Sequence, residues 1–277
     1  MPRGLRLTDT ALPAEIVYDL AQILQLGDGA FIVGGQALNL WAEHYSRTEE
    51  LAAYGPYTSK DIDYFGHRHA AQKLADALDG ELLIPDGDDH TPQTAIVRAM
   101  VGGRNIEIDF LWNVKGVKSQ SLIGQAVELR LTVRLAEAVG QLRIPVMHPF
   151  HCMQSRLANV IELGRNTDLA RRQLEASPII LREYLDDMLG AGQVKHVTGV
   201  LQALRDYLLS DPNGRKAHRV MANDPARILD HFQHDERIDA RWRERSLASM
   251  RRTIASRRTA WGALTERLMT ALQSKRL

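Results

Sequence analysis

Cysteine, long apolar runs and the common phosphate-binding motifs are the features that this sequence lacks or nearly lacks. Its 277 residues include one cysteine, Cys152, which excludes an intramolecular disulfide and is typical of a reducing compartment. The first residues hold no apolar run of signal-peptide length, and no later stretch is long and apolar enough to span a bilayer. A P-loop, a dinucleotide-binding fingerprint and a serine nucleophile elbow are also missing. We therefore expect a cytoplasmic protein that does not bind a membrane.

The composition is that of a globular chain, but its charge is unevenly distributed. Hydrophobic residues make up 44% and charged residues 25% of the sequence, which are ordinary values for folded domains. The net charge is +1, yet residues 241–277 contain ten Lys and Arg against two Glu, a charge of +8 that leaves −7 for the rest. A basic segment on an acidic body favours a polyanionic partner. On charge alone, however, a solvated helix surface is the simpler interpretation.

The pattern of apolar residues divides the chain into two parts. Helical periodicity is found at residues 14–26, 36–45 and 68–78, and the strand-like runs are 30–33, 61–66, 94–100, 105–112 and 143–148. Helix-period segments alone follow from about His151 onward. The sequence therefore predicts an α+β protein, with a mixed sheet flanked by helices in residues 1–149 and an all-helical domain in residues 150–277.

Two of the predicted strands carry acidic residues in alternation. In "SKDIDYF", Asp61 and Asp63 stand two apart, so both carboxylates point to one face of the sheet, and "NIEIDFL" places Glu107 and Asp109 in the same way. Like charges repel, and a fold tolerates them best with a cation between them. Carboxylates that converge on one face favour magnesium or manganese over zinc. An exposed strand face is the alternative for each pair taken alone, and the role of Glu107 stays open.

A glycine pair stands between the first predicted strand and the next helix. In "AFIVGGQALNLWAEHY", Gly34 and Gly35 follow the apolar run directly. Each glycine loses more backbone freedom on folding than any other residue, so the pair indicates that something approaches the backbone closely at this turn. A tight strand-to-helix turn is the alternative.

Taken together, these motifs resemble the nucleotidyltransferase superfamily of DNA polymerase beta. The shared order is a strand, Gly-Gly, a helix, Asp-x-Asp on the next strand and a third Asp on a later one, and it covers roughly residues 28–148. The resemblance implies a nucleotidyltransferase-like catalytic domain in residues 1–149. It also implies that Gly34 and Gly35 let the backbone approach the triphosphate of a nucleotide, in keeping with the attraction of helix N-termini for phosphate.

The same resemblance assigns the acidic residues to metal binding and catalysis. Asp61 and Asp63 would bind two Mg²⁺ (or Mn²⁺) ions, and Asp109 would complete the site for the attacking hydroxyl. Lys60, directly before the Asp-x-Asp motif, is assigned to nucleotide binding. The substrate would be a nucleoside triphosphate.

Within the superfamily, the chain resembles most the nucleotidyltransferases of abortive-infection and toxin–antitoxin systems. In those proteins, basic residues and an Asp at the start of the helical domain face the nucleotide. In "QSRLANVIELGRNTDLARR", Arg156 and Arg165 stand where the family tends to keep a Lys and an Arg, and we assign them to phosphate binding. Thr167 replaces the family's Lys before the Asp. Ordinary surface positions explain Arg171 and Arg172 equally well.

Two functions of different class follow from the resemblance. The first is an enzyme that moves a nucleoside monophosphate from a nucleoside triphosphate onto a hydroxyl of RNA or tRNA, a protein or a small molecule, as a toxin with a cognate antitoxin protein or in phage defence. The second is a non-catalytic protein of the same fold that binds nucleic acid or a protein partner. The complete Asp61, Asp63 and Asp109 set favours the enzyme.

The basic C-terminal segment predicts a long amphipathic helix. Apolar residues recur at steps of three and four from position 247 to position 271, interrupted by Arg257. Arg241, Arg245 and Arg252 would then lie together on the outward face, where a polyanionic acceptor such as tRNA can dock through its phosphates. Plain solvation of the three arginines is an equally good explanation.

Overall fold

A computed structural model describes residues 11–86, 91–135 and 138–259 of the chain. The chain divides into two compact units, the first ending at Ile180 and the second beginning at Leu181. The first unit contains a seven-stranded mixed sheet with helices, and the described part of the second unit is helical, so the predicted α+β class is confirmed. The division falls beyond Pro149 because the helix that begins there packs against the helix that follows the glycine pair.

The sheet combines parallel and antiparallel pairs. Its strands are β1 (Phe31–Val33), β2 (Ile62–Phe65), β3 (Glu81–Leu83), β4 (Gln93–Val101), β5 (Arg104–Leu111), β6 (Val127–Leu135) and β7 (Ala138–Val146). They are arranged in the order β3-β4-β5-β2-β1-β7-β6, in which β2–β5 and β1–β7 are parallel and the other pairs are antiparallel. Gly102 and Gly103, both with positive φ, form the tight turn between β4 and β5.

The helices predicted over 36–45 and 68–78 are found within two residues, the helix predicted over 14–26 ends at Ala21, and the first unit adds shorter helices. The helices of the first unit are α1 (Ala14–Ala21), α2 (Gly34–His44), α3 (Glu49–Ala52), α4 (Arg68–Ala77), α5 (Ser119–Gly124) and α6 (Pro149–Glu162), followed by α7 (Asp168–Gly190), which runs across the division between the units. The described part of the second unit contains α8 (Val194–Ser210), α9 (Ala217–Val220), α10 (Arg227–His231) and a π-helical turn (Trp242–Leu247) that continues as an α-helix to residue 259. No helix in the described ranges combines the length and the apolar character needed to cross a membrane.

The central strands are apolar on one face and acidic on the other. Tyr64 of β2 and Phe110 of β5 are fully buried, and their rings stack with centroids 5.3 Å apart. The hydroxyl of Tyr64 donates to the carbonyl oxygen of Leu20 in α1 at 3.2 Å. Because side chains alternate along a strand, this packing turns Asp63 and Asp109 to the opposite face.

The amphipathic helix predicted for the C-terminal segment is confirmed where the structure describes it. The apolar residues Leu247, Met250 and Ile254 are buried. The three arginines predicted to lie on the outward face, Arg241, Arg245 and Arg252, are exposed. The remaining predicted positions, from 261 to 271, lie outside the described residues.

Candidate active site

The glycine pair begins α2 at the end of strand β1, and the first glycine is fixed by two constraints. Gly34 has a φ of 72°, a backbone conformation that side chains with a Cβ rarely adopt. A Cβ atom at this position would also lie 2.6 Å from Oδ2 of Asp63, whose Cα pairs with that of Val33 across the antiparallel β1–β2 ladder. The turn therefore requires glycine, and it brings the start of α2 directly against the carboxylate.

The parallel pairing of β2 with β5 brings two of the predicted acidic residues side by side. The register aligns Asp63 with Asp109, so their side chains stand on the same face of neighbouring strands. Both side chains are half-buried, and Oδ1 of Asp109 is buried without a hydrogen-bond partner among the described residues. A hydrogen bond from Gln93 of β4 is the contact that favours the charged form of Asp109. The two carboxylates therefore form the acidic centre of the site.

Burial and mutual repulsion disfavour the charged form of these carboxylates. Burial, followed by the charges of Asp109 and Asp61, raises the pKa of Asp63 to about 6, against the opposing effect of Arg156 and Arg165. Burial likewise raises the pKa of Asp109. An acidic pair held in this state gains from a positive ligand, because a cation compensates both the lost hydration and the repulsion.

A buried hydrogen-bond chain holds the first of the predicted arginines against the start of α2. The Nη1 atom of Arg156 in α6 donates to Oε1 of Gln173 in α7 at 3.3 Å, and Nε2 of Gln173 donates to Oδ1 of Asn39 in α2 at 3.0 Å. A Cβ atom on Gly35 would lie 3.2 Å from Nε2 of Gln173 and 3.7 Å from Nη1 of Arg156. The second glycine thus leaves space beside these two side chains.

Arg156 keeps unused binding capacity. Its Nε atom is buried without a hydrogen-bond partner, and within the described ranges no carboxylate forms an ion pair with it. Burial lowers the pKa of Arg156, while the nearby charge of Asp63 acts in the opposite direction. A half-buried guanidinium without an ion pair is poorly compensated, so an anion at this position would stabilise it.

These residues surround one cleft of about 470 Å³, which we call the Asp63–Asp109 cleft. Gly34, Arg156 and Arg165 also line it, so the structure brings together five of the eight predicted site residues. Arg165 is exposed, and its backbone N–H donates to the carbonyl oxygen of Asn159 at 3.1 Å. Acidic and basic groups therefore face the same space, the combination that a metal-bound phosphate requires.

Three acidic or basic residues singled out in the sequence lie outside this cleft. Asp61 is exposed and precedes the first residue of β2, although its charge still acts on both other aspartates. Lys60 is exposed and does not line the cleft. Glu107 accepts a hydrogen bond from Nε of Arg98 on β4 at 2.8 Å, and it stands directly opposite that residue in the ladder. This cross-strand ion pair accounts for Glu107.

Two residues of the predicted basic motif have structural roles. Thr167 stands where the resembled family keeps a Lys, and its Oγ1 accepts the backbone N–H of Ala170 at 3.2 Å, as a helix-capping residue does at the start of α7. Arg172 is half-buried, and its Nη1 donates to the carbonyl oxygen of Gly55 at 2.7 Å. Arg172 thereby fixes the loop before β2.

The acidic centre fits one divalent cation. Two adjacent carboxylates with raised pKa values are suitable oxygen ligands for Mg²⁺ or Mn²⁺. Among the described residues, however, no group of three or more His, Cys, Asp or Glu side chains has a metal-holding arrangement. Asp63 and Asp109 are therefore the two side chains that fit a cation. Asp61, which the sequence predicted as a third ligand, does not line the cleft.

Several polar residues of the site gave no usable signal in the sequence. Gln93, Lys115 and Asn159 line the cleft, and Gln173 accepts a hydrogen bond from Arg156. Each is a single polar residue in an otherwise ordinary helix, strand or loop, and only the tertiary fold shows that it faces the site. Lys115 also pairs with Glu162 at 2.6 Å.

Comparisons of the chain with protein-family models, with curated proteins and with solved structures find no match.

Proposed function

We propose that the chain is a metal-dependent nucleotidyltransferase that moves a nucleoside monophosphate from a nucleoside triphosphate onto an acceptor hydroxyl. The observation that carries this proposal is the register of β2 with β5, which sets Asp63 beside Asp109 and opposite the glycine turn. The lone cysteine supports a cytoplasmic location. The acceptor is RNA or tRNA, a protein or a small molecule, and the resemblance to toxin–antitoxin and phage-defence enzymes supports a toxin with a cognate antitoxin.

The basic side of the Asp63–Asp109 cleft would hold the triphosphate. The helix α2 begins at Gly34 without a capping side chain on Val33, so backbone N–H groups of its first turn can donate to phosphate oxygens. Arg156 would bind a phosphate through its half-buried guanidinium, and Arg165 would bind from the exposed rim.

The acidic side would hold the cation. Asp63 and Asp109 would be its ligands, and Asp61 would join them if the residues before β2 move toward the cleft when the nucleotide binds. When bound, Mg²⁺ or Mn²⁺ neutralises charge on the phosphates during an in-line displacement.

The transfer itself needs a proton acceptor next to the attacking oxygen. Oδ1 of Asp109, which has no partner among the described residues, would accept the proton of the acceptor hydroxyl. The acceptor oxygen then forms a bond to the α-phosphorus, the bond from the α-phosphorus to its bridging oxygen breaks, and pyrophosphate leaves. Arg156 and Arg165 would remain paired with the departing phosphates.

Isothermal titration calorimetry tests the nucleotide site without requiring the acceptor. The α,β-methylene analogues of the four common nucleoside triphosphates cannot react, and at least one should bind with magnesium and much more weakly with a chelator. Arg156→Met should weaken that binding by about tenfold or more, because a charge-assisted hydrogen bond contributes about 1.5–3 kcal/mol. Arg205→Met on α8, which removes a partly exposed arginine paired with Asp206, is the matched control and should bind normally. Failure of all four analogues to bind would contradict the proposal.

A non-catalytic protein of the same fold is the second candidate. The observation in its favour is the exposed position of Asp61, which leaves two carboxylates rather than three in the cleft. Such a protein would use exposed Arg241, Arg245 and Arg252 to bind nucleic acid, or another surface to bind a protein partner. It differs from the enzyme in one measurable property, since it would bind nucleotide or RNA without releasing pyrophosphate.

A further inference from the structure

The first unit contains a second cleft, which has no part in the proposed transfer. It has a volume of about 500 Å³ and lies between α1, α2 and the segment 51–59. We call it the α2 cleft, because α2 supplies its polar wall. A volume of this size falls in the range of sites for small organic molecules.

Two carboxamides that are nearly inaccessible to solvent face the α2 cleft. Gln36 and Asn39 stand three apart on α2, so they share one side of the helix, and their relative exposures are 7% and 5%. Asn39 Nδ2 is buried without a hydrogen-bond partner. Leaving a buried donor unpaired is unfavourable, so Asn39 indicates a bound polar molecule, and Gln36 lies on the same side of the helix and lines the same cleft.

The charge of the α2 cleft distinguishes it from the Asp63–Asp109 cleft. The described residues that line it include no Lys, Arg or His, and its one carboxylate, Glu43, accepts a hydrogen bond from the hydroxyl of Tyr18. A phosphate or another anion would be repelled by Glu43, and Arg172, whose Nη1 donates to the carbonyl oxygen of the lining residue Gly55, does not itself line the cleft. The ligand that suits this cleft is uncharged.

The remaining walls favour a flat ligand with an apolar surface. Leu12, Val17, Leu51 and the ring of Tyr57 supply apolar contacts, and the Tyr57 hydroxyl is held by donation to the carbonyl oxygen of Leu51 at 2.8 Å. The Gln36 carboxamide carries a donor and an acceptor side by side, which matches the edge of a nucleobase, and Asn39 adds Nδ2 as a donor because its Oδ1 accepts from Gln173. We propose that the α2 cleft is a binding site for an uncharged nucleoside, separate from the triphosphate site and independent of whether the protein is an enzyme.

The two clefts share one hydrogen-bond chain. Asn39 lines the α2 cleft, Arg156 lines the Asp63–Asp109 cleft, and Gln173 is hydrogen-bonded to both. A nucleoside that accepts a hydrogen bond from Asn39 Nδ2 fixes the orientation of the Asn39 carboxamide. Because Gln173 is hydrogen-bonded to Asn39, this also fixes which atom of the Gln173 carboxamide faces Arg156. Nucleoside binding should therefore change the affinity of the other cleft for the triphosphate analogue, and the effect must be reciprocal.

The test uses adenosine, cytidine, guanosine and uridine as probes on the full chain, with calorimetry and ligand-observed NMR at millimolar concentration. At least one nucleoside should bind, and Gln36→Met should weaken it by about five- to tenfold, the loss expected for one neutral hydrogen bond. Asn39→Asp keeps the acceptor for Gln173 but removes the free donor, and it should weaken the same nucleoside. Gln72→Met on the exposed face of α4 is the matched control and should bind as the wild type does.

The outcomes separate this proposal from the proposed function. Nucleoside binding that is lost in Gln36→Met while the triphosphate analogue still binds with magnesium supports two distinct sites. The same loss in a protein that never binds the analogue supports the α2 cleft and contradicts the transferase. Absence of nucleoside binding overturns the α2 proposal. The α2 proposal is also overturned if the triphosphate analogue displaces the nucleoside completely and neither Gln36→Met nor Asn39→Asp weakens nucleoside binding.

Discussion

Replacement of Asp63 by asparagine should stabilise the metal-free protein at neutral and alkaline pH. The pKa of Asp63 is raised from 3.8 to about 6, first by burial and then by the charges of Asp109 and Asp61. The folded state therefore favours the protonated carboxyl, and ionisation of this side chain costs stability. Asparagine has almost the same shape but carries no charge at any pH, so the substitution removes that cost.

The size and sign of the effect follow from the pKa of Asp63. A rise from 3.8 to about 6 is about two pH units, and at 1.36 kcal/mol per unit the charged form costs about 3 kcal/mol. Since the folded pKa is raised, wild-type stability is complete below about pH 4 and is lost as the pH rises through about 6. The advantage of Asp63→Asn should therefore be near zero at about pH 4 and reach about 3 kcal/mol at about pH 8.

Differential scanning calorimetry in a chelating buffer measures this difference across the pH range. At about pH 8 the mutant should unfold about 5–10 °C higher than the wild type, and the gap should close toward pH 4. Asp19→Asn on the exposed surface of α1 is the control and should show no such pH-dependent gap. Added magnesium should raise the unfolding temperature of the wild type more than that of Asp63→Asn, because a ligand stabilises the state that binds it. A mutant that is less stable than the wild type at pH 8, or a gap that does not change with pH, would refute the reasoning.

Three other sets of substitutions test the surroundings of the site. Gly35→Val should fold, but its side chain would enter the space beside the Arg156–Gln173 pair. Calorimetry should therefore show at least about a tenfold loss of affinity for the triphosphate analogue. Unchanged affinity would mean that the second glycine has a structural role alone. Glu107→Gln removes only a partly exposed ion pair, so the free energy of unfolding should change by less than about 1 kcal/mol, and nucleotide transfer should be normal; a large loss of transfer would return Glu107 to the site. Serine at Arg241, Arg245 and Arg252 should leave nucleotide binding intact, and the salt slope of RNA binding in filter-binding titrations should fall by about one per lost phosphate contact; an unchanged slope would assign the three arginines to solvent.

The alternating patterns were sufficient to predict the strands that carry the acidic residues. Strands β2 and β5 lie within a residue or two of the predicted runs, since buried Ile62, Tyr64, Ile108 and Phe110 alternate with acidic residues in each. The pairing of these strands was not predictable in the same way. It joins segments far apart in sequence, and only their parallel register sets Asp63 beside Asp109.

The two strands that were not predicted differ in kind. The strand β3 has three residues, too few to show a period. The strand β6, in contrast, has the sequence "VELRLTVRL", in which buried Leu129, Leu131 and Val133 alternate with exposed polar residues, so its sequence does carry the period of a strand.

The role of each buried polar residue also depends on tertiary contacts. The sequence indicates that α2 is amphipathic, but it does not indicate that Asn39 meets Gln173, which lies in a different helix. For the same reason the Asp-x-Asp motif predicted two equivalent carboxylates, whereas Asp61 stands before the strand begins and stays exposed. Residue spacing predicts which face of a strand a side chain points to, but only for residues inside the strand. Because β2 begins at Ile62, Asp61 is not held to the face that Asp63 occupies.

The most direct test of the central claim measures nucleotide transfer itself. Each of the four nucleoside triphosphates, labelled on the α-phosphate, is incubated with magnesium, the protein and either total RNA or the protein alone as acceptor. Label incorporation and pyrophosphate release are then followed for the wild type, Asp63→Asn, Asp109→Asn and the exposed control Asp19→Asn. We expect magnesium-dependent transfer by the wild type and the control, and a loss of several orders of magnitude in both site variants. Transfer that persists in Asp63→Asn and Asp109→Asn, or a wild type that binds the nucleotide but releases no pyrophosphate, would contradict the central claim.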